Sequence, residues 1–424
     1  MSRTTIYRHW ESIIDLNHDL AIFTVADTPS WQVELLRQPV GRPWAESIAR
    51  AVEQTGPEQA LLVRSFVAGW PASSAARAFV AKWETAWLVD FEHWLDAHCA
   101  ATGRVPLDGT NSRSLAVTLA AMVEGQLIVG QYGRGPSVDD WDASVPSEIA
   151  MVTTRILDRM SEVKASGRTV PAKDWAPEPL PHSGLTTAKA SILLRTVEAV
   201  RAHPFGYPCS PVPSRLVDMG RLARKLDVTE RRLFDVWPTT ASLNVDLLER
   251  FFERYRAAAE DVAGEVLDIG LSDRYRSFEQ LNTSALHEVV YVGLRPGRAS
   301  FWGCGPAVMD PEVRSIATTN VEHWLGSLRT TFLAVLSMIG WYRRVDVSAD
   351  EFTLRVLEGV IGLQRMASLN HDLLNETAPY RRYSLSLCGL AAYQISRSLS
   401  TDEPPIFTDP SQAPPFPSDY LAKP

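Results

Sequence analysis

The sequence predicts an all-α fold built from two tandem copies of one helical domain, each of roughly 200 residues. Two observations predict it. Apolar residues recur at helical spacing along most of the 424-residue chain, while alternating strand patterns are scarce. The chain also repeats itself. "FEHWLDA" at 91–97 returns as "VEHWLGS" at 321–327, an offset of 230 residues. "SRTTIYRHWESIIDLNHDL" from Ser2 lies over "TERRLFDVWPTTASLNVDL" from Thr229 at an offset of 227. There Trp10 meets Trp237, and Leu16, Asn17, Asp19 and Leu20 meet Leu243, Asn244, Asp246 and Leu247. Two matches in the same order at nearly the same offset mark a duplication.

Taken in order, 1–26 reads as the end of a first small helical unit, and 27–164 as a first larger bundle. Within that bundle, 79–100 is a helical stretch with Trp83, Trp87, Phe91 and Trp94 spaced by four, four and three. Those spacings set the rings on one face. Such a stripe serves helix packing first; a wall of a ligand cavity is the sharper reading. The stretch "SLAVTLAAMVEGQLIVGQ" at 114–131 suits a largely buried helix. The segment 165–185 lies in a Pro- and Gly-containing run without periodicity and reads as a linker.

A second small unit follows at 186–252. The segment "TAKASILLRTVEAVRAH" at 187–203 is helical, with Ile192, Leu193, Val197 and Val200 on its apolar side. After a Pro-rich loop comes a short helix over about 217–226, a turn at Asp227 and Val228, and an N-cap at Thr229 for a second short helix ending at Val236. Short helix, tight turn, short helix is the helix-turn-helix arrangement. Its second helix needs polar residues toward base edges and apolar ones beneath. Arg231 and Arg232 supply the former; Leu233, Phe234 and Trp237 supply the latter. A second bundle spans 253–400, and a Pro-rich tail spans 401–424.

Composition narrows the function classes. A net charge of −8 argues against a chain coated in basic charge but leaves room for a small basic face. One exists: 189–235 holds nine Lys or Arg against five Asp or Glu. The four cysteines lie far apart without a CxxC, so no zinc site is expected, and they read as buried thiols in a reducing cytoplasm. No apolar leader opens the chain and no run of ~18 apolar residues occurs, so a soluble cytoplasmic protein without a membrane partner is expected. "GQYGRG" at 130–135 and "GCGPA" at 303–307 lack the strand before and the Lys-Ser/Thr after that a phosphate loop needs. His93 and His98 are five apart and do not share a helix face, and His93 recurs as His323, which favours a structural role. "SLNHDLLNET" at 368–377 contains no triad. No nucleophile–base–acid set is present, so neither an enzyme nor a cofactor is expected.

The stretch "SRTTIYRHW" followed by "ESIIDLNHDLA" resembles the recognition helix and following helix of TetR/AcrR-family transcriptional regulators. The match covers Ser2, Thr5, Ile6, Tyr7, His9, Trp10 and Leu16. The resemblance implies two TetR-like domains, each a helix-turn-helix headpiece with a larger helical bundle for ligand binding and dimerisation. It implies a bacterial, ligand-responsive repressor bound to a double-stranded DNA operator and controlled by a small-molecule effector. It places Tyr7 and His9, with Arg8 between them, on phosphates, and Arg3, Thr4 and Thr5 near bases. In the second copy Thr229, Arg231 and Arg232 take the corresponding face. Trp83, Trp87, Trp94 and Met122 are the pocket candidates, with the second copy's equivalents equally eligible. The fused pair is expected to act as an intramolecular pseudo-dimer or to dimerise further.

Three departures stand against this. The Lys usual after the aromatic is replaced by Ile13 and Thr240. Phe234 and Val236 replace Tyr7 and His9, and Asp235 would be repelled by phosphate. Met1 stands where Val228 stands, so the counterpart of 187–227 is missing from the first headpiece. Either that counterpart is encoded upstream of Met1, which the survival of Tyr7 and His9 favours, or the first headpiece has decayed. The alternative function is a TetR-fold ligand-binding or protein-interaction module that no longer binds DNA.

Overall fold

A computed structural model describes residues 30–55, 74–107, 110–129, 144–164, 219–239, 342–380 and 383–401, with scattered positions between these runs. The described chain is mostly helical. The Gly-containing turns at 130–135 and 303–307, most of 165–185 and the tail from 402 lie outside the described residues.

Helix α1 (Trp31–Leu36) starts at Ser30, whose hydroxyl accepts from the Val33 N–H at 3.3 Å. It is followed by α2 (Trp44–Thr55) and the 29-residue α3 (Ser74–Thr102). A short strand β1 (Arg104–Pro106) leads into α4 (Ser112–Val129), and α5 (Ser144–Met160) leads into β2 (Ser161–Val163). β1 and β2 pair antiparallel, with Arg104 opposite Val163.

Two short helices, α6 (Met219–Leu226) and α7 (Glu230–Val236), stand apart in sequence. Further along, β3 (Tyr342–Arg343) precedes α8 (Ala349–Leu369). A 3-10 turn, His371–Leu374, then leads to the hairpin β4 (Thr377–Tyr380) and β5 (Tyr383–Ser386). Helix α9 (Leu387–Ser398) and β6 (Ser400–Thr401) complete the described fold, with β6 pairing back on β3.

Helix α4 has almost no polar face, and every residue from Ser114 to Val129 is buried. A helix apolar all round needs neighbours all round. It finds α3 and α5 from its own half, and α8 and α9 from the other half of the chain. Ser348 starts α8 by accepting from the Glu351 N–H at 3.0 Å, and Ser386 starts α9 by accepting from the Gly389 N–H at 3.2 Å.

The α4–α8 crossing is set by glycine. A Cβ on Gly125 would sit 1.7 Å from the Glu358 carbonyl oxygen, and one on Gly362 would sit 1.8 Å from that of Ala121. Only residues without a side chain let two backbones meet this closely.

One hydrophobic core therefore serves both halves. Trp31, Trp94, Leu115 and Met122 belong to it, and so do Phe352, Leu363, Leu390 and Ile395. Polar bonds cross the same boundary. Thr118 donates to Gln394 at 2.7 Å, and Arg113 grips Glu376 with two bonds of 2.8 and 2.9 Å. The sequence division at 27–164 and 253–400 separates two copies whose described helices share this core. Helix α4 alone passes the length and apolarity test for crossing a membrane among the described residues, and 89% of it is buried inside the protein.

Helices α6 and α7 have a small core of their own. Met219, Ala223, Leu233 and Leu243 are buried, with Leu222, Val228 and Trp237 packed against them.

Candidate functional site

The two short helices have the local geometry of a helix-turn-helix. α6 ends at Asp227, whose φ of +54° is the left-handed conformation that Asp tolerates better than most residues. The Val228 N–H then returns to the Ala223 carbonyl at 2.9 Å and closes the helix end. Thr229 is extended, and its hydroxyl accepts from the Arg232 N–H at 3.4 Å. The Trp237 N–H bonds the Leu233 carbonyl at 2.8 Å and ends α7. Leu233 points into the small core, while Arg224, Arg231 and Arg232 are exposed.

The same surface carries features that DNA would not choose. Glu230 and Asp235 are exposed beside the arginines. Leu226, Phe234 and Val236 are 55%, 42% and 62% exposed, so Phe234 does not supply the docking that the sequence assigns to it. Leu233 and the half-buried Trp237 supply it instead.

Of the first copy's candidate residues, Arg8 is helical and exposed, and His9 is helical and half-buried. The His9 ring meets Trp10 edge-on, with centroids 5.9 Å apart. Arg3, Thr4, Thr5 and Tyr7 lie outside the described residues.

Both copies share one bond. Trp10 Nε1 donates to Asp19 Oδ2 at 2.7 Å, and Trp237 Nε1 donates to Asp246 Oδ2 at 2.7 Å. These are equivalent positions at the 227-residue offset, and Leu16 and Leu243 between them are both buried. The indole–carboxylate clamp repeats with the sequence. It ties the residue after the short helix to the helix that follows.

The pocket candidates fall on the inner face of α3 and the middle of α4. Trp87 and Phe91 stack at 5.3 Å, and Phe91 and Trp94 at 6.4 Å. Trp87 Nε1 donates to the Gln32 carbonyl and Trp94 Nε1 to the Gln38 carbonyl, both at 3.1 Å. Each indole thus fastens α3 to the α1 region. Trp83 is buried, and Met122 is fully enclosed.

A buried ionic cluster lies next to this stripe. Arg365 of α8 donates to Glu84 of α3 at 2.8 Å and pairs with Glu124 of α4 at 3.2 Å. Glu124 also accepts from Trp31 Nε1 at 2.6 Å. Burial alone works against the Arg365 charge, but the Glu124 and Glu84 carboxylates outweigh it and hold its pKa above the ordinary value. Nearly three turns earlier on α8, Arg355 bonds Glu358 and Glu148. Burial pushes the Glu358 carboxyl up to about 7, against the pull of Arg355. His98, stacked on Trp94 at 5.1 Å, is pushed down to about 4 by burial, with Arg104 adding to the effect.

Sequence reasoning missed this cluster. Glu124 was a possible signal, a lone carboxylate amid "AAMVEGQLIV", as was Glu84 inside the tryptophan stripe. Glu124-Gly125 and Glu358-Gly359 are a further shared pair, at an offset of 234.

Among the described residues no group of three His, Cys, Asp or Glu is placed to hold a metal. Cys99 and Cys388 are free and buried, and burial pushes their thiols up to about 11 and 12, which suits inert packing. No family model, curated protein or solved structure matches the chain.

Proposed function

We propose that this chain is a TetR-like, ligand-responsive DNA-binding regulator whose two copies act as a pseudo-dimer within one polypeptide. The observation that carries the reading is the capped helix-turn-helix at Met219–Leu226 and Glu230–Val236, which leaves Arg224, Arg231 and Arg232 exposed over a buried Leu233. The repeated Trp–Asp clamp supports a second element of the same kind around Trp10. The core shared by α4, α5, α8 and α9 supports the pseudo-dimer, since it joins the two copies as a two-chain interface would. In this reading a small effector is held near Trp83, Trp87, Trp94 and Met122. It favours a spacing of the headpieces that no longer matches two major-groove half-sites. The protein works in the cytoplasm, without a membrane and without catalysis.

The test is fluorescence anisotropy on duplex DNA from the region upstream of the protein's own gene, across a salt series. The expected result is specific binding that Arg231→Ala and Arg232→Ala each weaken, with the salt slope falling by about 1 per removed phosphate contact. Equal, weak binding to every duplex would sink the proposal. A second reading, a TetR-fold interaction module without DNA binding, is favoured by Asp235 and by the exposed Phe234 and Val236. Under it, Phe234→Ser would abolish capture of a protein partner, while the arginine variants would change nothing.

A further inference from the structure

One serine at a helix start has a partner that capping does not call for. Ser386 ends β5 and caps α9, where its Oγ accepts from the Gly389 N–H at 3.2 Å. The same oxygen lies 2.6 Å from Nδ1 of His287, which comes from 99 residues earlier in the chain. Ser30 and Ser348 cap α1 and α8 through the same kind of backbone bond. Among the described residues neither of those two meets a histidine.

Valence places the proton. A hydroxyl oxygen has two lone pairs and one proton. The Gly389 N–H takes one lone pair, and His287 Nδ1 accepts the proton, which leaves the ring N–H at Nε2. A hydroxyl that donates to an imidazole is an activated nucleophile, since the ring takes the proton as the oxygen attacks. The 12-residue helix α9 adds its positive end beside that oxygen. Ser386 and His287 are both half-buried, and Thr377, opposite Ser386 in the β4–β5 ladder, is exposed. A small reagent therefore reaches the hydroxyl from solvent. Cys388, two residues on, does not compete, because it is buried and its thiol is pushed up to about 12.

We infer that Ser386 is an acylation site, with His287 as its base, that takes the acyl group of an activated ester or thioester. His287 Nδ1 takes the hydroxyl proton as Ser386 Oγ bonds the acyl carbon. The bond from that carbon to the leaving oxygen or sulfur then breaks, and the leaving group takes the proton from His287. The product is one ester per chain, so this is a site of modification. The ester sits at the start of α9, a helix of the core that both halves share. The inference holds whether or not the chain binds DNA, because it rests on the Ser386–His287 pair alone.

The test treats the full-length protein with p-nitrophenyl acetate and follows acetylation of each serine by peptide mass spectrometry over time. Ser384, exposed in the same strand, is the internal control. Ser386 should be acetylated about a hundredfold faster than Ser384, the lower end of what a positioned base supplies. That ratio is read in wild type, so it decides the matter even if a variant is unstable. His287→Gln, which keeps a hydrogen-bonding side chain but not a base, should bring Ser386 down to the rate of Ser384. Ser386→Asn, which keeps a helix cap, should abolish the fast release of p-nitrophenolate. Equal rates at Ser386 and Ser384 in wild type would overturn the inference. So would fast acetylation of Ser386 in His287→Gln, or fast p-nitrophenolate release by Ser386→Asn.

Discussion

The helical bundle and the helix-turn-helix unit solve the same problem at different scales. The bundle buries α4 on all sides, closes on two glycine contacts, and holds charges in its interior. The unit made by α6 and α7 buries four described side chains and leaves Phe234 and Val236 in the open. The first region is fixed by contacts far apart in sequence, the second by caps and turns a few residues long.

The largest expected effect breaks the bundle at its charges. Arg365→Met leaves Glu84 and Glu124 buried without the guanidinium between them. It should cost about 3–5 kcal/mol in denaturant unfolding, because an uncompensated buried charge is far costlier than a missing pair. Adding Glu84→Gln and Glu124→Gln should recover part of the loss. A single mutant as stable as wild type would show that the cluster is solvated.

Next comes the crossing. Gly125→Ala drives a methyl into the Glu358 carbonyl, a backbone atom that moves only if α4 and α8 separate. Thermal unfolding should report a loss of about 3 kcal/mol, the upper range for overpacking. At Gly326, where a Cβ meets nothing within 4 Å, the same change should cost little, which makes it the control.

A third test uses pH. The Glu358 carboxyl rises from 4.5 to about 7 on folding, so the folded state holds its proton longer than the unfolded state does. Stability from this group is full below about 4.5 and is lost as pH rises toward 7, by at most roughly 3 kcal/mol. His98 has the opposite sign. Its fall from 6.5 to about 4 means that stability is lost as pH drops through that window. Glu358→Gln should leave the His98 slope alone, with stability rising between pH 4 and 6.5; a flat profile in that variant would refute the His98 assignment, and a profile identical to wild type would refute the Glu358 assignment.

The smallest effect sharpens the other side of the comparison. Thr229→Ala removes the cap of α7 and should cost about 1 kcal/mol. Hydrogen exchange should quicken in α7 alone, and the bundle's melting temperature should stay put. A global shift would mean that the small unit and the bundle unfold together.

The same contrast explains what could be read from the sequence. The helix-turn-helix was legible down to its N-cap because Asp227, Thr229 and the apolar Leu233 act within one or two turns. The α3 stripe was legible as a face, since 4-4-3 spacing leaves little choice. Its fastening was not. The carbonyls of Gln32, in α1, and Gln38, just after it, lie some 55 residues earlier, and no local signal links them to the stripe. The buried cluster was hidden for the same reason, since Glu84 and Arg365 are 281 residues apart. Periodicity showed that α4 is buried but not by what, and two of its partner helices, α8 and α9, come from the other half of the chain.

That sharing has a consequence for how the molecule can evolve. A two-fold dimer of separate chains dissociates on dilution, and every residue at its interface must serve in two places at once. Two copies joined covalently meet in a unimolecular step, so their association does not depend on concentration. Each half is also free to drift from its twin. Glu124 pairs across with Arg365 and accepts from Trp31 of its own half, whereas Glu358 pairs with Arg355 on its own helix. On the duplication proposed above, the two halves hold their buried glutamates in different ways.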